Sequence, residues 1–259
     1  MKLPIYQVDA FTKKAFGGNP AAICPLDEWL DAELMQRIAL ENNLSETAFL
    51  VKKADVYELR WFTPTFEIDL CGHATLASAF VLYELLNAPE SVLNFETKSG
   101  VLTVEKKDDL LVLDFPSRPA IECEAPAGLI KAIGKTPNEV LKSRDYLMVY
   151  ESEDDIRQIN PNFAELLKID THAVIVTAKG SDSDFVSRFF APEVGVFEDP
   201  VTGSAHCTLI PYWAEKLGKE TLYARQVSAR GGELFCRLKG DRVKIGGNAA
   251  LYLKGEIYI

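Results

Sequence analysis

Long apolar runs are missing from this 259-residue chain, and no stretch approaches the ~20 residues a helix needs to cross a bilayer. The N-terminus, Met1-Lys2-Leu3-Pro4 onward, turns polar at once and has no signal-peptide core. Cysteine is sparse: the five, at 24, 71, 123, 207 and 236, include no Cys-x-x-Cys pair. An odd, widely spaced set suits neither a disulfide framework nor a zinc site. The three histidines lie far apart, so no paired ligand spacing arises and no metal is expected. Neither a phosphate loop nor a dinucleotide-binding glycine fingerprint occurs. Positive charge is also in deficit. A formal net charge of -10 offers no counterion-release gain on nucleic acid and no attraction to anionic membranes. These absences point to a soluble, reduced, cytoplasmic protein whose partner is a small molecule, with no nucleic acid and no membrane.

Hydrophobic residues make up 47% of the chain, ample for a large buried core. Ile5 to Phe11 reads as a strand running into a glycine turn at Gly17-Gly18-Asn19-Pro20. Asp31 can cap a helix that extends to about Asn42. Thr47–Val51 and Val56–Thr63 are rich in β-branched and aromatic residues and read as strands. From His73 to Leu86 the residues are mostly apolar and lack Pro and Gly, the pattern of a buried helix. A hairpin follows, with strands near Val101–Lys106 and Leu110–Phe115.

The second half replays this order. Strands at Ala173–Thr177 and Phe185–Phe190 lead to Arg188-Phe189-Phe190-Ala191-Pro192, which matches Arg60-Trp61-Phe62-Thr63-Pro64. Beyond each segment a glycine opens an apolar stretch, Cys71-Gly72-His73-Ala74 in one half and Thr202-Gly203-Ser204-Ala205 in the other. Pro211 should kink the second helix. Two such segments can arise by chance, but a conserved order of elements favours internal duplication. The fold expected is α+β, with two pseudo-symmetric halves, residues 1–117 and 118–259, each a sheet wrapped on one buried helix. The last strand is free to pair back with the first half.

Both helices begin at a glycine, where first-turn N–H groups and the positive end of the dipole could hold a carboxylate. Taken singly, Gly72 and Gly203 could equally serve tight turns. His73, at a helix start, is poorly placed to be cationic and is expected as a neutral imidazole, or as a satisfied core residue. Glu46 enters a strand that should be mostly buried. Apolar neighbours would penalise its charge and suit it to proton exchange, while the plain alternative is an exposed loop-end glutamate. Asp199 could cap the second helix, bind a substrate amine or orient a catalytic group. Ser204 with His73 or His206 and Asp199 invites a Ser-His-Asp reading, but Gly203-Ser204-Ala205-His206 lacks the second glycine of a nucleophile elbow. Cys71 faces Thr202 across the repeat, so a two-thiol shuttle is incomplete.

The sequence closely resembles the PhzF-like family of phenazine-biosynthesis-type isomerases, which share the diaminopimelate epimerase fold. Matching segments run from end to end: Asp9-Ala10-Phe11-Thr12, Phe16-Gly17-Gly18-Asn19-Pro20-Ala21-Ala22, Leu44-Ser45-Glu46-Thr47-Ala48-Phe49, Arg60-Trp61-Phe62-Thr63-Pro64, Asp69-Leu70-Cys71-Gly72-His73-Ala74-Thr75 and Glu198-Asp199-Pro200-Val201-Thr202-Gly203-Ser204-Ala205-His206. The resemblance implies barrel-like halves around central helices, a site at their interface, no cofactor, and a homodimer. It implies a proton-moving isomerase acting on a small, cyclic, amino-bearing carboxylic acid; the phenazine enzyme's own substrate is a dihydro-hydroxyanthranilate. The family's acid/base glutamate falls on Glu46, and its other polar site residues on His73, Asp199 and Ser204, with Gly72 and Gly203 lending backbone donors. The epimerase relatives use a cysteine pair, of which only Cys71 is present. An amino-acid racemase or a non-catalytic binding protein on the same fold are the other two readings.

Overall fold

Strand dominates this mixed α/β chain, and each longer helix is seated by a local signal. The computed structural model describes residues 1–259, which divide into two compact units. One comprises Met1–Phe115 with Lys244–Ile259, the other Pro116–Val243.

In the first unit, Lys2–Ala10 lies antiparallel to Asn19–Leu26, which runs parallel to Glu46–Lys53. Glu46–Lys53 pairs antiparallel with Val56–Phe62. Beyond it, Val92–Thr97, Gly100–Lys107 and Leu110–Pro116 continue the ladder. The turn before Asn19–Leu26 depends on Gly18. Its φ is +60°, and a Cβ there would lie 2.0 Å from the Ala10 carbonyl oxygen, so no side chain fits. Between the parallel strands sits the helix Ala32–Asn42. Asp31 caps it by accepting the Glu33 N–H at 2.8 Å, and Asn43 closes it in the left-handed region with φ 49°.

The helix Gly72–Phe80 packs against the strands Lys2–Ala10, Asn19–Leu26 and Glu46–Lys53. Gly72 through Ala79 are all buried. Its composition explains how: Gly, Ala, Ser and Thr keep it thin, and the hydroxyls spend their bonds internally. Ser78 donates to the Ala74 carbonyl at 2.7 Å, and Thr75 donates to the Cys71 carbonyl. The apolar stretch expected to run as one helix to Leu86 instead widens into a π turn over Val81–Leu85, where the Leu86 N–H reaches the Val81 carbonyl.

In the second unit, Glu139–Lys142 pairs antiparallel with Tyr146–Val149, which runs parallel to Val174–Lys179. Phe185–Ala191 follows antiparallel, then Thr221–Gln226 parallel to it, then Gly232–Lys239 antiparallel again. The helix Gly203–Leu217 packs on these last two strands. Trp213 on it stacks on Phe185, with ring centroids 5.7 Å apart, and donates its indole N–H to Thr177 Oγ1 at 2.9 Å. The helix is continuous through Pro211. Proline lacks the N–H that would bond the Cys207 carbonyl, and the Arg118 N–H takes that acceptor instead at 2.8 Å.

Residues 244–259 belong to the first unit, where Ala249–Tyr258 lies antiparallel along Lys2–Ala10 with a bulge between Gln7 and Val8. Edge pairing of the two chain ends leaves fewer open strand edges than a simple head-to-tail division would.

Candidate active site

Each unit places one polar cluster at the head of its buried helix. In the first, strand pairing sets Glu46 as the opening residue of Glu46–Lys53, only 9% exposed. His73 is the second residue of Gly72–Phe80, and its Nε2 lies 2.8 Å from Glu46 Oε2. The two groups are in direct contact, and Oε2 is a buried carboxylate oxygen with no partner beyond His73. Such an atom is expensive to leave dry. On the ring's other side, Asn19 Nδ2 donates toward His73 Nδ1 at 3.1 Å. The close turn at Gly18 delivers Asn19 to this position.

Burial of the ring works against the imidazolium, while the Glu46 carboxylate in contact with the ring favours it, and the balance moves the His73 pKa upward. The expectation of a neutral imidazole rested on the helix start alone. A carboxylate in direct contact is nearer and stronger than the partial charge of a helix end. Glu46 likewise has this charged neighbour rather than only apolar ones. Cys71 is buried, and that burial pushes its thiol up to about 11, so it is protonated at neutral pH and is no thiolate base.

Glu46, Cys71 and His73 bring potential ligand atoms within 4.8 Å of one another. Cys71 Sγ sits 3.5 Å from His73 Nδ1 and 4.0 Å from Nε2. Those nearly equal distances put the sulfur beside the ring and off either nitrogen's lone-pair axis, an arrangement ill suited to sharing a metal.

In the second unit, Asp199 ends the strand Val196–Asp199, and Thr202 occupies the extended position before Gly203. Thr202 Oγ1 donates to Asp199 Oδ2. Gln226 ties the loop together: its Oε1 accepts the Thr202 N–H at 2.9 Å, and its Nε2 donates to the Asp199 carbonyl at 2.7 Å. Upstream, Arg188 grips Glu198 through two bonds of 2.7 and 2.9 Å, and its Nη1 donates to the Ile156 and Ile159 carbonyls. Arg60 grips Glu67 in the same bidentate way at 2.7 and 2.9 Å. The arginine of each Arg-aromatic-Phe-x-Pro segment is therefore a clamp on the loop that precedes a helix start.

Ser204 Oγ accepts from Arg144 Nη2 at 3.3 Å. It has no histidine partner, because His206 Nδ1 donates to the Thr202 carbonyl at 2.8 Å. Burial lowers the His206 pKa to about 4, with that backbone bond opposing, so the ring is a neutral core residue and the Ser-His-Asp reading does not hold for it.

The model of the phenazine biosynthesis-like protein family, PhzC-PhzF, matches residues 8–255. The chain belongs to this family. It is 54% identical to an uncharacterized isomerase of Pseudomonas aeruginosa over 99% of both chains. It is 49% identical to a PhzF-family phenazine biosynthesis protein of Enterococcus faecalis of known structure, at TM-score 0.98 over 100% of both. A hydroxyproline epimerase from Agrobacterium vitis shares the fold at 12% identity and TM-score 0.63, covering 99% of this chain and 92% of that one.

Within this PhzC-PhzF chain, Glu46, His73 and Gly72 come together in the first unit, as do Asp199, Gly203 and Ser204 in the second. Sequence reading passed over Asn19, Gln226, Arg144 and Asp145. Asn19 was visible only as a turn residue, although an Asn-Pro after two glycines is a place where the amide can be aimed. Nothing local marks Gln226, whose partners lie 24 to 27 residues earlier in the chain. No helix of the chain is long and apolar enough to cross a membrane.

Proposed function

We propose that the protein is an isomerase that moves a proton on a small carboxylate-bearing substrate, most simply a cyclic, amino-bearing acid, using side chains alone. Glu46 takes a proton from one carbon; the electron pair of that C–H bond shifts into the substrate's π system, and the protonated carboxyl returns the proton to another carbon. His73 holds the Glu46 carboxylate in place, and His73 and Asp199 are the further groups that position the substrate and assist proton delivery. Gly72 and Gly203 offer first-turn N–H groups, and Ser204 a hydroxyl, as donors for substrate binding and for stabilising developing negative charge. The observation that carries this reading is Glu46 Oε2: a buried carboxylate oxygen 2.8 Å from His73 Nε2, with no other partner. Names carried by relatives, such as the uncharacterized isomerase of Pseudomonas aeruginosa, support the reaction class. A homodimer is part of the same proposal.

The racemase reading loses support from Cys71, whose thiol is held at about 11 by burial, and from Thr202 in the place of a second thiol. The test is a screen of hydroxy- and amino-carboxylic acids for solvent-deuterium incorporation, read by mass spectrometry. Glu46→Gln should lower incorporation by about 10²–10⁴-fold with the circular dichroism spectrum unchanged. Full exchange in that variant removes Glu46 from the role.

A further inference from the structure

We propose that Arg144 recognises the substrate's carboxylate beside Ser204, with Asp145 as the residue that orients it. The proposal deepens the preceding one and rests on its carboxylate-bearing substrate. The side chain of Arg144 is 36% exposed, whereas that of Asp145 is 3% exposed. Asp145 accepts from Arg144 Nε at 3.0 Å and from Nη2 at 2.8 Å, which fixes the plane of the guanidinium. With that plane fixed, Nη2 also donates to Ser204 Oγ at 3.3 Å. Nη1 has no protein partner. A guanidinium needed only to neutralise Asp145 would have no reason to lean on the first turn of the Gly203–Leu217 helix while leaving one edge open. The open edge, the Ser204 hydroxyl and the first-turn N–H groups together offer what a planar carboxylate takes: two or more directed donors and a positive field.

The surroundings add to the same field. Cys207 lies one turn along from Ser204. Burial pushes its thiol up to about 11, and the guanidiniums of Arg118, Arg144 and Arg242 pull it the other way. Arg118 is brought there by the fold itself, since its N–H takes the carbonyl that Pro211 leaves open. Arg144 thus meets the start of this helix in a chain whose formal net charge is -10. This is local anion complementarity against an opposing global charge.

The experiment compares binding of 2-aminobenzoate with that of its neutral amide, 2-aminobenzamide, by fluorescence titration and calorimetry. The wild-type protein should prefer the acid by about tenfold or more, the range of one charge-assisted contact. Arg144→Gln should abolish the preference, and Asp145→Asn should weaken it. Arg144→Lys should keep part of it, because the charge survives but the fork does not; if Arg144→Gln fails to fold, the Lys variant carries the test. A structural role alone would lower both affinities together and leave their ratio unchanged. An unchanged ratio in Arg144→Gln, or a wild type that binds both compounds equally or neither, overturns the proposal. Glu46→Gln separates the two proposals. It should retain the acid preference while losing deuterium exchange, so either result can fail without the other.

Discussion

Gln226 gives the sharpest test of how the Asp199 loop is held. The side chain is 1% exposed and is the shared partner of the Thr202 N–H, the Asp199 carbonyl and, at 3.2 Å, Thr202 Oγ1. Gln226→Ala leaves a buried N–H and a part-buried carbonyl without partners and opens a small void. One buried orphan costs about 1–3 kcal/mol, and the second group, being nearer solvent, costs less. The sum is about 2–4 kcal/mol, or on the order of 10 °C in melting temperature for a chain of this size. Gln226→Glu separates the two ends of the amide. One oxygen still accepts the Thr202 N–H, but the donor to the Asp199 carbonyl is lost and a second carboxylate is set beside that of Asp199. That variant should be less stable than Gln226→Ala at pH 7 and should recover on acidification, as the new carboxyl takes up a proton. Urea unfolding reads the global change, and amide hydrogen exchange at Thr202 reads the local one. If Gln226→Ala stays within about 0.5 kcal/mol of wild type, a size usual for changes that break nothing, or if the Thr202 amide stays protected, the loop is held by something else.

The remaining expectations concern His206 and Cys71. His206 has its pKa lowered from 6.5 to about 4 by burial. Its unfolded form therefore binds a proton that the folded form refuses between those values. The associated stability, about 3 kcal/mol, is fully present above pH 6.5 and is lost as the pH falls towards 4. Urea unfolding at pH 7 and pH 4.5 should show a smaller acid loss in His206→Phe than in wild type; equal losses would contradict the assignment. Cys71→Ser should lower deuterium exchange by less than about tenfold, against the 10²–10⁴ expected for a proton-transfer group. A loss in that larger range would return the two-thiol chemistry to consideration.

Much of the scaffold was legible because its signals are local. Asp31 before an amphipathic run marks a helix start. The Ala-, Ser- and Thr-rich stretch after Gly72 can only be a buried helix. β-Branched and aromatic residues in Thr47–Val51 and Val56–Thr63 mark strands whose observed bounds are Glu46–Lys53 and Val56–Phe62. Short elements were harder. Glu139–Lys142, Tyr146–Val149 and the helix Phe163–Leu166 have four residues each, fewer than a periodic pattern needs in order to declare itself. The π turn at Val81–Leu85 has no signature distinct from a helix.

By itself, then, the sequence determined the family, the two helix starts and the chemical types gathered near them: Glu46, His73, Asp199 and Ser204. Only the tertiary structure decided who answers whom. It turned the two repeat arginines into clamps, withdrew His206 into the core, and returned residues 244–259 to the first unit. It also set Glu46 Oε2 2.8 Å from His73 Nε2, a contact between residues 27 positions apart in the chain. The physical reason is range. Caps and periodicities are written within a few neighbouring residues, whereas a buried group's protonation and partners depend on atoms that folding brings from tens of residues away.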